Sequence, residues 1–250
     1  MIPVTDAVLI GAAGIVAGIV GTAGGITSLV SYPALLVAGV PALAANVANI
    51  VALVVCWPGS AVASRPELLG RASWLGRWTL VTAAGGAAGA ALLLLTPSAA
   101  FGSVVPFLVL TGSLVLLAQP KLSAFRENSE RSHTLVLGAG LVAVSAYSGY
   151  FGAGSGVMTL ALLLLTVDQN VARANALKNM LVGAATVVAA VTLIIVVPVD
   201  WAAVVPLAAG LLAGSMIGPK VARHLPPAVL RWCAALLGVG LAVKLWIAPA

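Results

Sequence analysis

Hydrophobic stretches follow one another along nearly the whole chain, near 5–21, 26–38, 43–63, 76–95, 101–118, 134–151, 156–166, 172–196, 202–218 and 228–247. Only short polar or Gly/Pro punctuation separates them, and several come close to the roughly 20 residues that cross a bilayer as a helix. With 62% hydrophobic and 7% charged residues, against about 25% charged in an ordinary soluble domain, the chain cannot cover a water-facing surface. The N-terminus, Met1-Ile2-Pro3-Val4-Thr5-Asp6, lacks the basic region of a signal peptide, and apolar segments recur to the last residues. The expectation is an all-α polytopic membrane protein in a lipid bilayer.

Two of the segments, 26–38 and 156–166, are short, and each follows a glycine cluster: Gly21-Thr22-Ala23-Gly24-Gly25-Ile26 and Gly152-Ala153-Gly154-Ser155-Gly156-Val157. Irregular backbone at membrane depth is tolerated only where protein or a water-filled cavity satisfies its N–H and C=O groups, so a repeated break points to a polar site inside the membrane. The repeat extends to residues: Gly25-Ile26-x-x-Leu29 recurs 131 positions on as Gly156-Val157-x-x-Leu160. Ala44-x-x-x-x-Asn49 recurs 130 positions on as Ala174-x-x-x-x-Asn179.

Charge gives the orientation. Arg65, Arg71 and Arg77 share one loop; Lys121, Arg126 and Arg131 lie in the central polar run, Arg173 and Lys178 around a later turn, and Lys220, Arg223 and Arg231 in the last. Loops near 39–42, 96–100, 152–155 and 197–201 hold no Lys or Arg, and only Lys244 lies towards the opposite end. By the positive-inside rule the basic face is cytoplasmic. This works only if each glycine-broken pair changes side an even number of times, as two crossings or as a re-entrant hairpin. Each half then has odd parity, so the fold expected is two inverted-topology repeats of about five helical segments each. The N-terminal repeat is 1–120, a cytoplasmic linker containing His133 is 121–133, and the C-terminal repeat is 134–250. The net charge of +6 is explained by this topology. No basic stripe interleaved with aromatics suggests nucleic acid.

The pattern Gly21-x-x-Gly24-Gly25-Ile26, Pro33-x-Leu35, Gly39-Val40-Pro41 and Ala44 resembles the TauE/SafE sulfite exporter family of membrane transporters. Gly152-x-Gly154-x-Gly156 with Arg173-Ala174-Asn175-Ala176-Leu177-Lys178-Asn179 is similar to the same family's repeated motif, so the resemblance covers essentially the whole chain. It implies a bacterial-type inner membrane protein that moves small anions, sulfite and organosulfur compounds first among them. Asn46, Asn49 and Ser155 depart from many relatives, which leaves the anion unidentified.

The residues themselves suggest how an anion would be held. A half-helix that begins after a glycine break leaves its first N–H groups unpaired and its positive dipole end facing inward. Two such ends near Gly24-Gly25 and Gly154-Ser155-Gly156 could receive an oxyanion, with Thr22, Thr27, Ser28 and Ser155 adding hydroxyls. Close helix packing through small residues is the plainer account of the same glycines. Asn46 with Asn49, and Asn175 with Asn179, each share a helix face, and a lipid-facing Asn is costly. Their amides contact substrate, cap the broken segments or join helices. Lys178 either draws in an anion or snorkels to the interface. Trp57-Pro58-Gly59 reads as a kink, Trp74, Trp78, Trp201 and Trp246 as interfacial anchors, and Asp168 and Asp200 as interfacial residues. Cys56 and Cys233 read as packing residues or a reactive thiol.

The function expected is therefore a secondary transporter of a small anion, working by alternating access around a midplane site, with no cofactor and no metal. A passive anion channel is the alternative. An intramembrane serine hydrolase built on Ser155 would need a base within hydrogen-bond reach, yet His133 and His224 both fall in loops. No His/Cys/Asp cluster has metal-ligand spacing. The sequence leaves a homodimer open.

Overall fold

In a computed structural model the structure describes residues 3–98, 100–110 and 130–222, with isolated positions at 114, 224, 232, 236, 239, 240 and 243. The segment expected at 228–247, the linker 121–129, and Lys121, Arg126, Arg223, Arg231, Cys233, Lys244 and Trp246 lie outside the described residues, as do the side chains of Arg131 and His133. Among the described residues every regular element is a helix: α1 Val4–Gly24, α2 Ser28–Val37, α3 Ala42–Leu53, α4 Cys56–Ala63, α5 Arg65–Leu68, α6 Ala72–Leu94, α7 Ala100–Leu110, α8 Glu130–Tyr150, α9 Ser155–Thr166, α10 Val171–Val196 and α11 Trp201–Ala222. Five stretches are long and apolar enough to cross a membrane: α1, α3 with α4, α6, α10 and α11. At about 1.5 Å per residue, the 10 residues of α2 reach only about half of a 30 Å hydrocarbon layer. Neither α2 nor the 12-residue α9 crosses alone. Helix α8 begins at Glu130, four residues inside the stretch read as linker.

The third span breaks earlier than Trp57-Pro58-Gly59 suggests. Pro58 has no N–H to give the carbonyl of Val54, so that carbonyl accepts from Trp57 N at 3.2 Å, a tighter turn that separates α3 from α4.

Helices in lipid gain nothing from hiding Leu from Leu, so close backbone approach drives their packing. Helix α1 lies along α11, where a Cβ on Gly18 would come within 2.7 Å of Leu211 O and one on Gly214 within 2.2 Å of Ile15 O. A second seam joins α6, α8 and α10. There a Cβ on Gly86 would meet Ala185 O at 2.2 Å, and one on Gly149 would meet Gly86 O at 2.2 Å. Gly86→Ala is therefore expected to destabilise the protein by about 1–3 kcal/mol through overpacking. Gly76→Ala, on the same helix with nothing within 4 Å, should leave thermal unfolding in detergent unchanged. Equal midpoints for the two variants would refute the seam.

Helix α10 packs against α3, α4, α6, α8 and α9, and 50% of its apolar span is buried inside protein. Trp78, expected at the interface, is buried with Leu137, Leu141, Leu160 and Leu163, because α8 offers Gly138 beneath its ring. Trp201 is 53% exposed, as an anchor should be. Asp168 is the centre of an ion cluster, pairing with Arg71 at 3.0 Å and Arg173 at 3.1 Å. It thereby ties the loop before α6 to the start of α10 at one end of the bundle.

Candidate functional site

The two glycine breaks touch. A Cβ on Gly25 would lie 2.5 Å from Gly156 C, and one on Gly156 would lie 2.6 Å from Gly25 Cα. Each break turns through left-handed backbone, Gly25 at φ +83° and Gly152 and Gly154 at φ +79° and +78°, a region open to glycine at little cost. Gly21 is needed for a different reason. Thr27 folds back onto it so closely that any side chain there would collide with the threonine Cβ and hydroxyl.

Where α1 ends, its last carbonyls lose their helical partners. Gly21 O keeps the N–H of Gly25 and also accepts from Lys178 Nζ at 3.3 Å. Thr22 O accepts two amides from α10, Asn175 Nδ2 at 2.9 Å and Asn179 Nδ2 at 3.1 Å. The end of α8 is treated likewise from the other half, since Tyr150 O accepts from Asn46 Nδ2 at 2.9 Å. Within the second break, Tyr147 donates its hydroxyl to Ala153 O at 2.7 Å. These asparagines thus cap broken helices across the two halves of the sequence.

At the start of α2 and α9 neither N-cap residue, Thr27 or Gly154, makes a side-chain capping bond. These N-terminal ends border a cavity of about 60 Å³, whose walls include Gly25, Thr27, Ser28, Ser155, Gly156, Lys178 and Asn179. Gly24, Asn46, Asn49, Gly154 and Asn175 do not line it. Asn49 stands one layer behind, donating to Ser28 Oγ at 3.1 Å and accepting from Ser31. Ser155 Oγ is engaged with Gly152 O at 2.8 Å and Ser148 Oγ at 3.2 Å, and no histidine lines the cavity to activate it.

Sequence reasoning missed the other wall. Cys56, Trp57 and Ser60 from α4, and Val182, Gly183 and Thr186 from α10, line it as well. Helical spacing from Lys178 would have found Val182 and Thr186, which fall on its face one and two turns on. Nothing marked α4, because Trp57-Pro58-Gly59 reads equally well as a kink alone.

Lys178 is 1% exposed, so it does not snorkel. Its ammonium has three N–H groups and one acceptor, Gly21 O. Among the described residues no Asp or Glu lines the cavity. A buried charge without a counter-charge is costly, and an anion is what would offset it. A cavity this size lies well below the roughly 300–1,000 Å³ of pockets for drug-sized ligands, so it suits an ion of a few heavy atoms.

The sequence profile of the sulfite exporter TauE/SafE family matches residues 7–245. The chain belongs to that family. TauE/SafE proteins are transporters rather than enzymes, and with five helices of spanning length among the described residues this one is a multi-pass membrane protein. As a TauE/SafE member it is placed with exporters of sulfite and related anions. No curated protein and no solved structure shows a match to it.

Proposed function

We propose that this TauE/SafE protein is a secondary transporter that exports a small anion, sulfite or an organosulfonate, by alternating access around the cavity between the two glycine breaks. The observation that carries this reading is Lys178, buried at 1% exposure on a cavity wall with no carboxylate among the described residues, beside the helix starts at Ser28 and Ser155. The ammonium supplies charge, and the backbone N–H groups of Ser28 and Gly156 supply directed donors, since those of Leu29, Val30, Ser155 and Val157 already have backbone acceptors; together they suit an oxyanion. Thr27, Ser28, Gly25, Ser155 and Gly156 form the rest of the binding surface in this reading. Asn175, Asn179, Asn46 and Asn49 hold the broken helices in place around it.

In this reading the two halves are inverted repeats, and the helix ends and turns carrying Arg65, Arg71, Arg77, Arg173 and Lys220 face the cytoplasm of a bacterial-type inner membrane. A labelled-sulfite counterflow measurement in proteoliposomes tests the mechanism. A carrier is expected to show saturable flux and transient accumulation of label against unlabelled sulfite inside. Linear flux with no counterflow would identify a pore instead.

A further inference from the structure

Three buried side-chain atoms, Asn46 Oδ1, Asn175 Oδ1 and Trp57 Nε1, have no hydrogen-bond partner among the described residues. The two amide oxygens are acceptors on residues that do not line the cavity, whereas Trp57 carries a donor and does line it. An indole nitrogen can only donate, and a buried donor left unmet is unfavourable unless something else supplies the acceptor.

The rest of Trp57 is firmly held. Its backbone N–H donates to Val54 O at 3.2 Å, and its carbonyl accepts from Ser60 Oγ at 3.1 Å. The indole lies flush on α10 because position 183 has no side chain. A Cβ there would come within 2.4 Å of Trp57 Cδ1, the atom bonded to Nε1, and within 2.6 Å of Cγ. Gly183 is four residues beyond Asn179, on the same wall of the cavity. Trp57 and Lys178 thus line one small space from two different helices.

We propose that the Trp57 indole N–H is a ligand-binding donor of this cavity, with Gly183 as its positioning residue. This rests on the reading of the cavity as the anion site. The two donors suit an oxyanion, whose separate oxygens can accept from the ammonium and from the indole.

Sulfite binding by calorimetry on detergent-purified protein tests the assignment. Trp57→Phe keeps the ring and removes the N–H, and is expected to weaken sulfite binding about tenfold or more, as loss of a hydrogen bond to a charged group does. Gly183→Ala, which pushes the ring away, is expected to weaken it comparably. In wild-type protein with ¹⁵N-labelled indoles, one of the six tryptophan signals should move on adding sulfite. Wild-type affinity in Trp57→Phe, with binding weakened in Lys178→Met, would overturn the indole assignment and leave the cavity reading standing. Unchanged binding in both variants would remove the cavity reading and this assignment with it. Should Trp57→Phe fail to fold, the wild-type spectrum decides: no indole signal moving with sulfite overturns the proposal.

Discussion

Lys178→Met is expected to weaken sulfite binding roughly ten- to a hundredfold while leaving a folded, monodisperse protein. Among the described residues the lysine supplies the cavity's one cationic side chain, and losing a charge-assisted contact to an anion removes about 1.5–3 kcal/mol, which is that loss of affinity. The structural cost is small for a specific reason. Gly21 O, the acceptor of the ammonium, still has the N–H of Gly25, so no carbonyl is orphaned. Methionine fills a similar volume without a buried charge, and such replacements are often neutral or stabilising. The signature is therefore a thermal midpoint in ligand-free detergent that is unchanged or raised, together with weakened binding by calorimetry. A well-folded variant that binds as wild type does would remove Lys178 from the site.

Gly25→Ala is expected to reduce uptake to background, and Gly24→Ala, one position away, is not. At Gly25 two costs combine. The left-handed backbone at φ +83° disfavours a side chain by about 1–2 kcal/mol, and the new Cβ would press on the Gly156 backbone at 2.5 Å. Backbone cannot swing aside as the end of a side chain can, so the two breaks must separate, and the N–H groups of α2 and α9 move off their common target. At Gly24 the nearest atom is Ile26 Cγ1 at 4.0 Å, an ordinary contact. Uptake of labelled sulfite into proteoliposomes, normalised to protein recovered after size exclusion, compares the two. Equal activity in both variants would show that the contact between the breaks does not matter for transport.

Much of this architecture was legible because hydrocarbon imposes simple rules. Long apolar runs became α1, α6, α10 and α11, and the glycine clusters marked the breaks before α2 and α9. What the sequence left open was partnership. Asn175 and Asn179 could have faced substrate, a broken helix or a neighbouring side chain. Their actual partner is the carbonyl of Thr22, more than 150 residues away in sequence, and a backbone carbonyl has no residue type to betray it. The same holds for Asn46 and Tyr150 O. Lys178 stood out as a charge within an apolar helix, but its burial depends on α3, α4 and α9 closing around α10. Trp57 was hidden by ambiguity, since its neighbour Pro58 already explained an interruption there. Trp78 was misplaced because distance from a span end says little about which side of a helix meets protein.

The reciprocal capping has a consequence for how such a protein can be made. Asn175, Asn179 and Lys178 finish α1, and Asn46 finishes α8, so neither piece of the polypeptide can complete its own interrupted helix while alone in the bilayer. During synthesis the early segments must therefore wait, with acceptors unsatisfied, until α10 has been inserted. Two fragments translated separately would have to meet in the membrane before either reached its final form.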